Sequence, residues 1–254
     1  MAPTQTTGDP LRRLTFHALL AGLCPLIPIP FLDDQVLGWV HRRRVREALR
    51  GHGFAPTAGN FQRREAVAEV ARRESKGLLA GCFRLVIIGP ILKLIIRLIS
   101  KVFRKILIVL TLKDCVDRFS EAFHEGYLLH LALERGAVEE HHLDAGVSGV
   151  MWLRWAIRTT CEEVDPRPLN QLVKGTLRGS RGLLLKASRM LGRLFRRRPR
   201  TEAEAPEAEA ALDAEEEAML GSLLDRLTAV IRGEAGYLAA LEEKFAANLQ
   251  RTQG

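Results

Sequence analysis

The chain is poor in aromatic residues, with three Trp and two Tyr in 254 positions, and it has no paired cysteines and no run of alternating β-branched residues. The missing alternation argues against strands, and the abundance of Leu, Ala, Arg and Glu favours helix, so the sequence predicts an all-α fold. Cys24, Cys82, Cys115 and Cys161 are widely spaced without any C-x-x-C pair, which excludes a zinc knuckle or a secreted disulfide framework. They read as small apolar side chains of a reducing compartment. No Walker A or Rossmann glycine motif occurs. Residues 146–149 include Gly146-x-Ser148-Gly149, which lacks the last glycine of a nucleophile elbow.

Acid is absent from two long stretches. Residues 78–112 carry six basic side chains, no acidic one and mostly aliphatic residues. From residue 91 on, Lys93, Arg97, Lys101, Arg104 and Lys105 occupy an arc of about 120° on a helix. Leu92, Ile95, Ile96, Ile99, Val102, Phe103, Ile106 and Leu110 fill the rest. Residues 167–200 hold eleven Lys/Arg and no acid, whereas 202–217 hold eight acids and no base. The net charge is +8. A basic block points to phosphate partners, in lipid or nucleic acid, and the alternative is that the acidic tract 202–217 folds back and screens it.

An uncharged run of bilayer length is also missing. The longest in the apolar segment, residues 85–92, has eight residues, and each Lys or Arg at a bilayer midplane costs about 2.5–3.5 kcal/mol. A simple spanning helix is therefore disfavoured. Two arrangements remain for 78–112: a core helix whose basic stems snorkel or pair with Asp114 and Asp117, and an interfacial helix whose cationic wedge meets lipid phosphates. The basic helix expected over 168–198 favours the second. It sets Lys174, Arg178, Arg181, Lys186, Arg189, Arg193 and Arg196 opposite Val173, Leu177, Leu184 and Leu191. Gly175, Gly179 and Gly182 fall on or beside the cationic arc, where they give a head group access to the backbone.

Organisation follows from Pro, Gly and capping residues. Residues 1–8 read as a disordered start, and Asp9-Pro10 as an N-cap and first position of a helix running to Cys24. Pro25, Pro28 and Pro30 end it. Asp33-Asp34 open the next helix, in which the cluster His41-Arg42-Arg43-Arg44-Arg46 suits the C-terminal dipole. A third helix runs from Thr57 or Asn60 to about Gly77, a helix continuing out of 91–112 runs from Lys113 to Glu134 with Gly136 as its stop, and another runs from Asp144 to about Val164. One helical domain covers 9–198. An Ala/Glu/Pro linker over 199–211 and a docked helix over 212–249 complete the chain, with Glu234 inside the apolar stripe of that helix, facing an Arg. Arg12-Arg13 before an apolar stretch is signal-like, but Asp9 and the lack of an A-x-A site argue for the cytoplasmic side.

The turn Leu26-Ile27-Pro28-Ile29-Pro30-Phe31-Leu32-Asp33-Asp34 resembles the apolar Pro-rich turn of EcsC-like and YcjF-like bacterial membrane-associated helical proteins. The resemblance implies membrane association and carries over no functional residue.

One enzymatic alternative is written in the residues. Glu121-x-x-His124 and Glu139-x-x-His142 repeat the carboxylate–imidazole spacing of di-metal helical bundles, with Glu65, Glu69, Glu162, Glu163 or Glu234 able to complete a set. The second pair falls in an expected interhelical loop, so ordinary exposed side chains explain it as well. The sequence thus predicts a non-enzymatic protein of the cytoplasmic membrane face, without cofactor, that binds anionic lipid. The residues expected at the surface are Lys93, Arg97, Lys101, Arg104, Lys105, Ile95, Ile99, Phe103, Ile106, Arg178, Arg181, Arg189, Arg193 and Arg196. An acidic protein partner for the same cations is the alternative. Nucleic acid is not expected, because no recognised module or interleaved aromatic residues accompany the basic ones.

Overall fold

All ten residues from Leu14 to Leu23 are buried, so the first helix is covered on every side. That burial organises the rest of the computed structural model. The structure describes residues 9–26, 32–54, 61–71, 100–180, 182–184, 186–187 and 205–253, without the side chains of 32–35, 100–111, 205–217 and 253. Among the described residues every regular element is helical, as the composition predicts. The elements are α1 (Pro10–Leu23), a 3-10 turn (Cys24–Leu26), α2 (Leu32–Gly51), α3 (Phe61–Val70), α4 (Ser100–Glu134), α5 (Glu140–Asp144), α6 (Val147–Glu163), α7 (Arg167–Arg178), α8 (Ala205–Gly233) and α9 (Ala235–Gln253).

α1 begins as its sequence dictates. The Asp9 carboxylate accepts the Leu11 N–H at 3.2 Å, and Pro10 takes a position where its missing N–H costs nothing. Apolar residues all round make it a core helix. Its closest neighbour is α4, 35 residues and about 52 Å long. At their crossing, a Cβ on Gly22 would lie 2.9 Å from the Cys115 carbonyl oxygen and 3.2 Å from the Phe119 Cβ. Backbone cannot yield as a flexible side chain can, so Gly22→Val forces the helices apart. Overpacking of this kind costs about 1–3 kcal/mol. The expected drop in the thermal midpoint is about 2–4 °C per kcal/mol, read by circular dichroism.

α4 threads two apolar clusters. In the first, Leu112, Val116, Phe119 and Phe123 meet α1, Val36, Leu37 and Val40 of α2, the inner face of α7, and Leu220, Leu224, Leu227 and Ile231 of α8. In the second, Leu128, Leu129 and Ala132 meet Ala66 and Val67 of α3, Val150, Leu153 and Ile157 of α6, and Leu241, Phe245 and Leu249 of α9. Tyr127 touches both. Gly136, at φ +65°, ends α4 in the left-handed conformation that closes an Ala137 N–H to Ala132 O bond.

Several boundaries differ from those read in sequence. The run from 100–112 into 113–134 is not one of them: it is continuous, as expected, because Lys113 and its neighbours are good helix formers without a stop signal. Asp144 does not cap the helix after it. It closes α5, and Gly146 at φ +69° precedes α6. Residues 205–211 of the expected linker are helical, because Ala and Glu favour helix and Pro206 falls in the first turn of α8, where proline is tolerated. The expected single helix over 212–249 is broken at Glu234, between Gly233 and Gly236, so Glu234 joins two helices instead of sitting within a stripe. Residues 27–31 of the Pro-rich turn, and all of 78–99, lie outside the described residues.

Candidate functional site

α7 is the first part of the basic segment, and its two faces separate cleanly. It ends at Arg178 in a turn at Gly179 and Ser180, so the single helix expected over 168–198 is interrupted there, where glycine disfavours helix, and helical residues resume at 182. Leu169, Val173 and Leu177 are buried in the first cluster, followed by Leu184 and Ala187. Lys174, Gly175, Arg178, Gly179, Gly182 and Lys186 are exposed. A Cβ at Gly175 or Gly182 would meet nothing within 4 Å, so these glycines line open surface and not a helix contact. Local chemistry starts the helix: the Asp165 carboxylate accepts the Arg167 backbone N–H at 3.0 Å, and Pro168 stands in the first turn. That N–H, with the Arg167 side chain, holds Asp165 below its ordinary range.

Polar ties fix the roll of the helix. The Ser120 hydroxyl of α4 donates to Asn170, whose amide donates to Asp117 at 3.1 Å. Arg226 of α8 donates to the Ser180 hydroxyl at 3.3 Å. With Leu169, Val173 and Leu177 pinned inward, Lys174 and Arg178 can only face outward.

Other sequence-expected contact residues are placed unevenly. Arg178 is exposed on α7. Lys101, Phe103, Arg104, Lys105 and Ile106 belong to the first turns of α4, where the backbone alone is described. Lys93, Ile95, Arg97, Ile99, Arg181, Arg189, Arg193 and Arg196 lie outside the described residues. Among the described residues no helix is long and apolar enough to cross a membrane.

The two E-x-x-H pairs are put to different uses. His124 is buried on α4, and its Nε2 is engaged by the Tyr237 hydroxyl of α9 at 2.6 Å. Burial lowers its pKa to about 4, against the pull of Glu125, so the ring is neutral near pH 7. Glu139 and His142 form a reciprocal cap at the start of α5, where His142 Nδ1 accepts the Glu139 N–H at 3.1 Å. That stretch is therefore a capped helical turn where the sequence suggests a loop. Among the described residues no three His, Cys, Asp or Glu side chains converge closely enough to hold a metal ion.

Sequence reasoning missed the buried ionic network between α1, α2 and α4. The basic cluster of α2 is not spent on the helix dipole: His41, Arg43 and Arg44 are buried. Arg44 donates to the Ala122 carbonyl and pairs with Glu125 at 2.8 Å, while His41 Nδ1 lies 3.2 Å from the same carboxylate. Burial pushes Glu125 upward, but the close approach of His41 and the Arg44 charge overcome it and hold the acid far below its ordinary range. One turn on, Glu47 accepts from Arg43 at 2.8 Å and faces His17 Nε2 of α1 at 3.2 Å. Against burial, those two partners hold Glu47 at about 2. Arg43 also stacks over Trp39 at 4.9 Å.

A usable signal did exist. Gly126 sits mid-helix in α4, where a Cβ would press on Arg44 Cδ at 3.0 Å and Leu14 Cδ2 at 3.1 Å. An isolated glycine in a helix costs about 1 kcal/mol against alanine, so a close crossing is the natural inference. No family model, curated protein or solved structure matches the chain.

Proposed function

We propose that this is a non-catalytic protein of a membrane surface that binds anionic lipid through a basic helical face. The observation that carries the reading is α7 and its continuation: apolar residues committed to the core, with Lys174, Arg178 and Lys186 presented to solvent. A surface built only to stay soluble mixes both signs, whereas 167–200 contain no acid. Exposed Gly175, Gly179 and Gly182 keep the backbone open beside these cations, which suits a bulky phosphate head group. The apolar, basic stretch 91–112 supplies a second contact, with Ile95, Ile99, Phe103 and Ile106 entering the acyl boundary.

The test is flotation with vesicles of neutral or part-anionic lipid. Binding that requires anionic lipid supports the proposal. Recovery in the soluble fraction with every composition refutes it and leaves an acidic protein as the partner of the basic face.

A further inference from the structure

The turn that ends α2 delivers an imidazole to the side of α4. The Phe54 N–H donates to the Leu49 carbonyl and the Gly53 N–H to the Arg50 carbonyl, with Gly53 at φ +85°. This double closure satisfies the last carbonyls of the helix and fixes the backbone of His52. The His52 Nε2 then lies 3.1 Å from Nδ1 of His130 on α4. The two rings meet edge to face, with centroids 5.1 Å apart and planes at 61°, so neither is stacked over the other.

Two imidazole nitrogens on one zinc, each about 2.0–2.1 Å from it, stand about 3.3 Å apart in tetrahedral geometry and about 2.9 Å apart at a right angle. The His52–His130 separation falls between these values. We propose that His52 and His130 form a binding site for a divalent first-row transition ion, with water in the remaining coordination positions. Among the described residues no third ligating side chain joins the pair, so the site is open and not a closed structural centre. Imidazole nitrogens select zinc, nickel or copper, whereas magnesium and calcium require oxygen ligands.

The surroundings favour a cation there. Glu134, one turn on from His130, brings a carboxylate oxygen 3.1 Å from His130 Nε2, the nitrogen that faces away from His52. Its negative charge offsets that of an ion on the opposite edge of the ring. Access is open, because His52 is only half-buried and lies between exposed Gly51 and Gly53, where a Cβ would meet nothing within 4 Å. Without metal, one ring donates its N–H to the other. On binding, that proton passes through solvent to the far nitrogen of the same ring, and both facing lone pairs reach the ion. The bound ion joins the end of α2 to α4 and stabilises the folded chain by mass action.

Zinc titration of the tag-free full chain by calorimetry tests the proposal, at about pH 7.5, above the ordinary imidazole pKa of about 6.5. The wild type is expected to take up one equivalent of Zn²⁺ that excess Mg²⁺ does not displace. Losing an outer-shell partner costs a metal site about 10–100-fold, so His52→Ala, which removes a direct ligand, is expected to weaken binding at least as much. His141→Ala, in the other histidine pair, is expected to keep the wild-type affinity. The ¹⁵N signals of His52 Nε2 and His130 Nδ1 in the wild type are expected to shift as zinc is added. No uptake by the wild type, or equal affinity in His52→Ala, overturns the proposal. Zinc-dependent shifts confined to other imidazoles overturn it as well, whether or not the variant folds.

Discussion

Arg44→Met should destabilise the folded chain by about 3 kcal/mol, and Glu125→Leu by about 3–5 kcal/mol, in urea unfolding. The asymmetry comes from what each leaves behind. Without Arg44, Glu125 keeps His41 as a partner. Without Glu125, both the buried Arg44 and the buried His41 lose their carboxylate. The double replacement should cost much less than the sum, since it removes opposite charges together and leaves an apolar contact beside Leu14 and Gly126. The wild type should also lose stability as pH falls below 4.5, because Glu47 and Glu125 are both held below that ordinary value only in the folded state. Single variants that cost under about 1 kcal/mol each and simply add would contradict a desolvated pair.

Neutralising the basic face should matter as much for the lipid as those changes do for the fold. A Lys or Arg near an anionic surface contributes about 1 kcal/mol. Lys174→Gln, Arg178→Gln and Lys186→Gln combined should therefore weaken vesicle affinity by about 3 kcal/mol, roughly 100-fold or more. All three side chains are exposed, so the unfolding midpoint should hardly move. Adding Arg189→Gln and Arg193→Gln should deepen the loss if the cationic arc continues as its spacing suggests. Equal affinity of wild type and triple variant would remove α7 from the contact.

Legibility in the sequence tracked the range of the interaction. Asp9-Pro10 at the start of α1 and Gly136 at the end of α4 act within one turn, and both could be read directly. The apolar stripe Val173, Leu177 and Leu184 has a helical period, so the inward face of the basic helix was legible too. The ionic network was not. Arg44 and Glu125 are 81 residues apart, and in a linear pattern each resembles a solvated charge. His124 was legible as one half of a spacing, but Tyr237, which engages it, comes from a helix 113 residues away. The break at Glu234 was missed because an uninterrupted Leu/Ile pattern outweighed two glycines whose cost is local.

The most direct measurement of the membrane reading is flotation of the wild type with neutral and part-anionic vesicles at low and high salt. Attraction between Lys or Arg and lipid phosphate fades beyond a Debye length, about 10 Å at 0.1 M salt and about 3 Å at 1 M. Insertion of Ile95, Ile99, Phe103 and Ile106 removes apolar surface from water and does not depend on that screening. The expected result is a fraction that floats with anionic vesicles at both salts, and a further fraction that floats only at low salt and is lost in the α7 variant. Wild type left in the soluble fraction under all four conditions would contradict lipid binding by this chain.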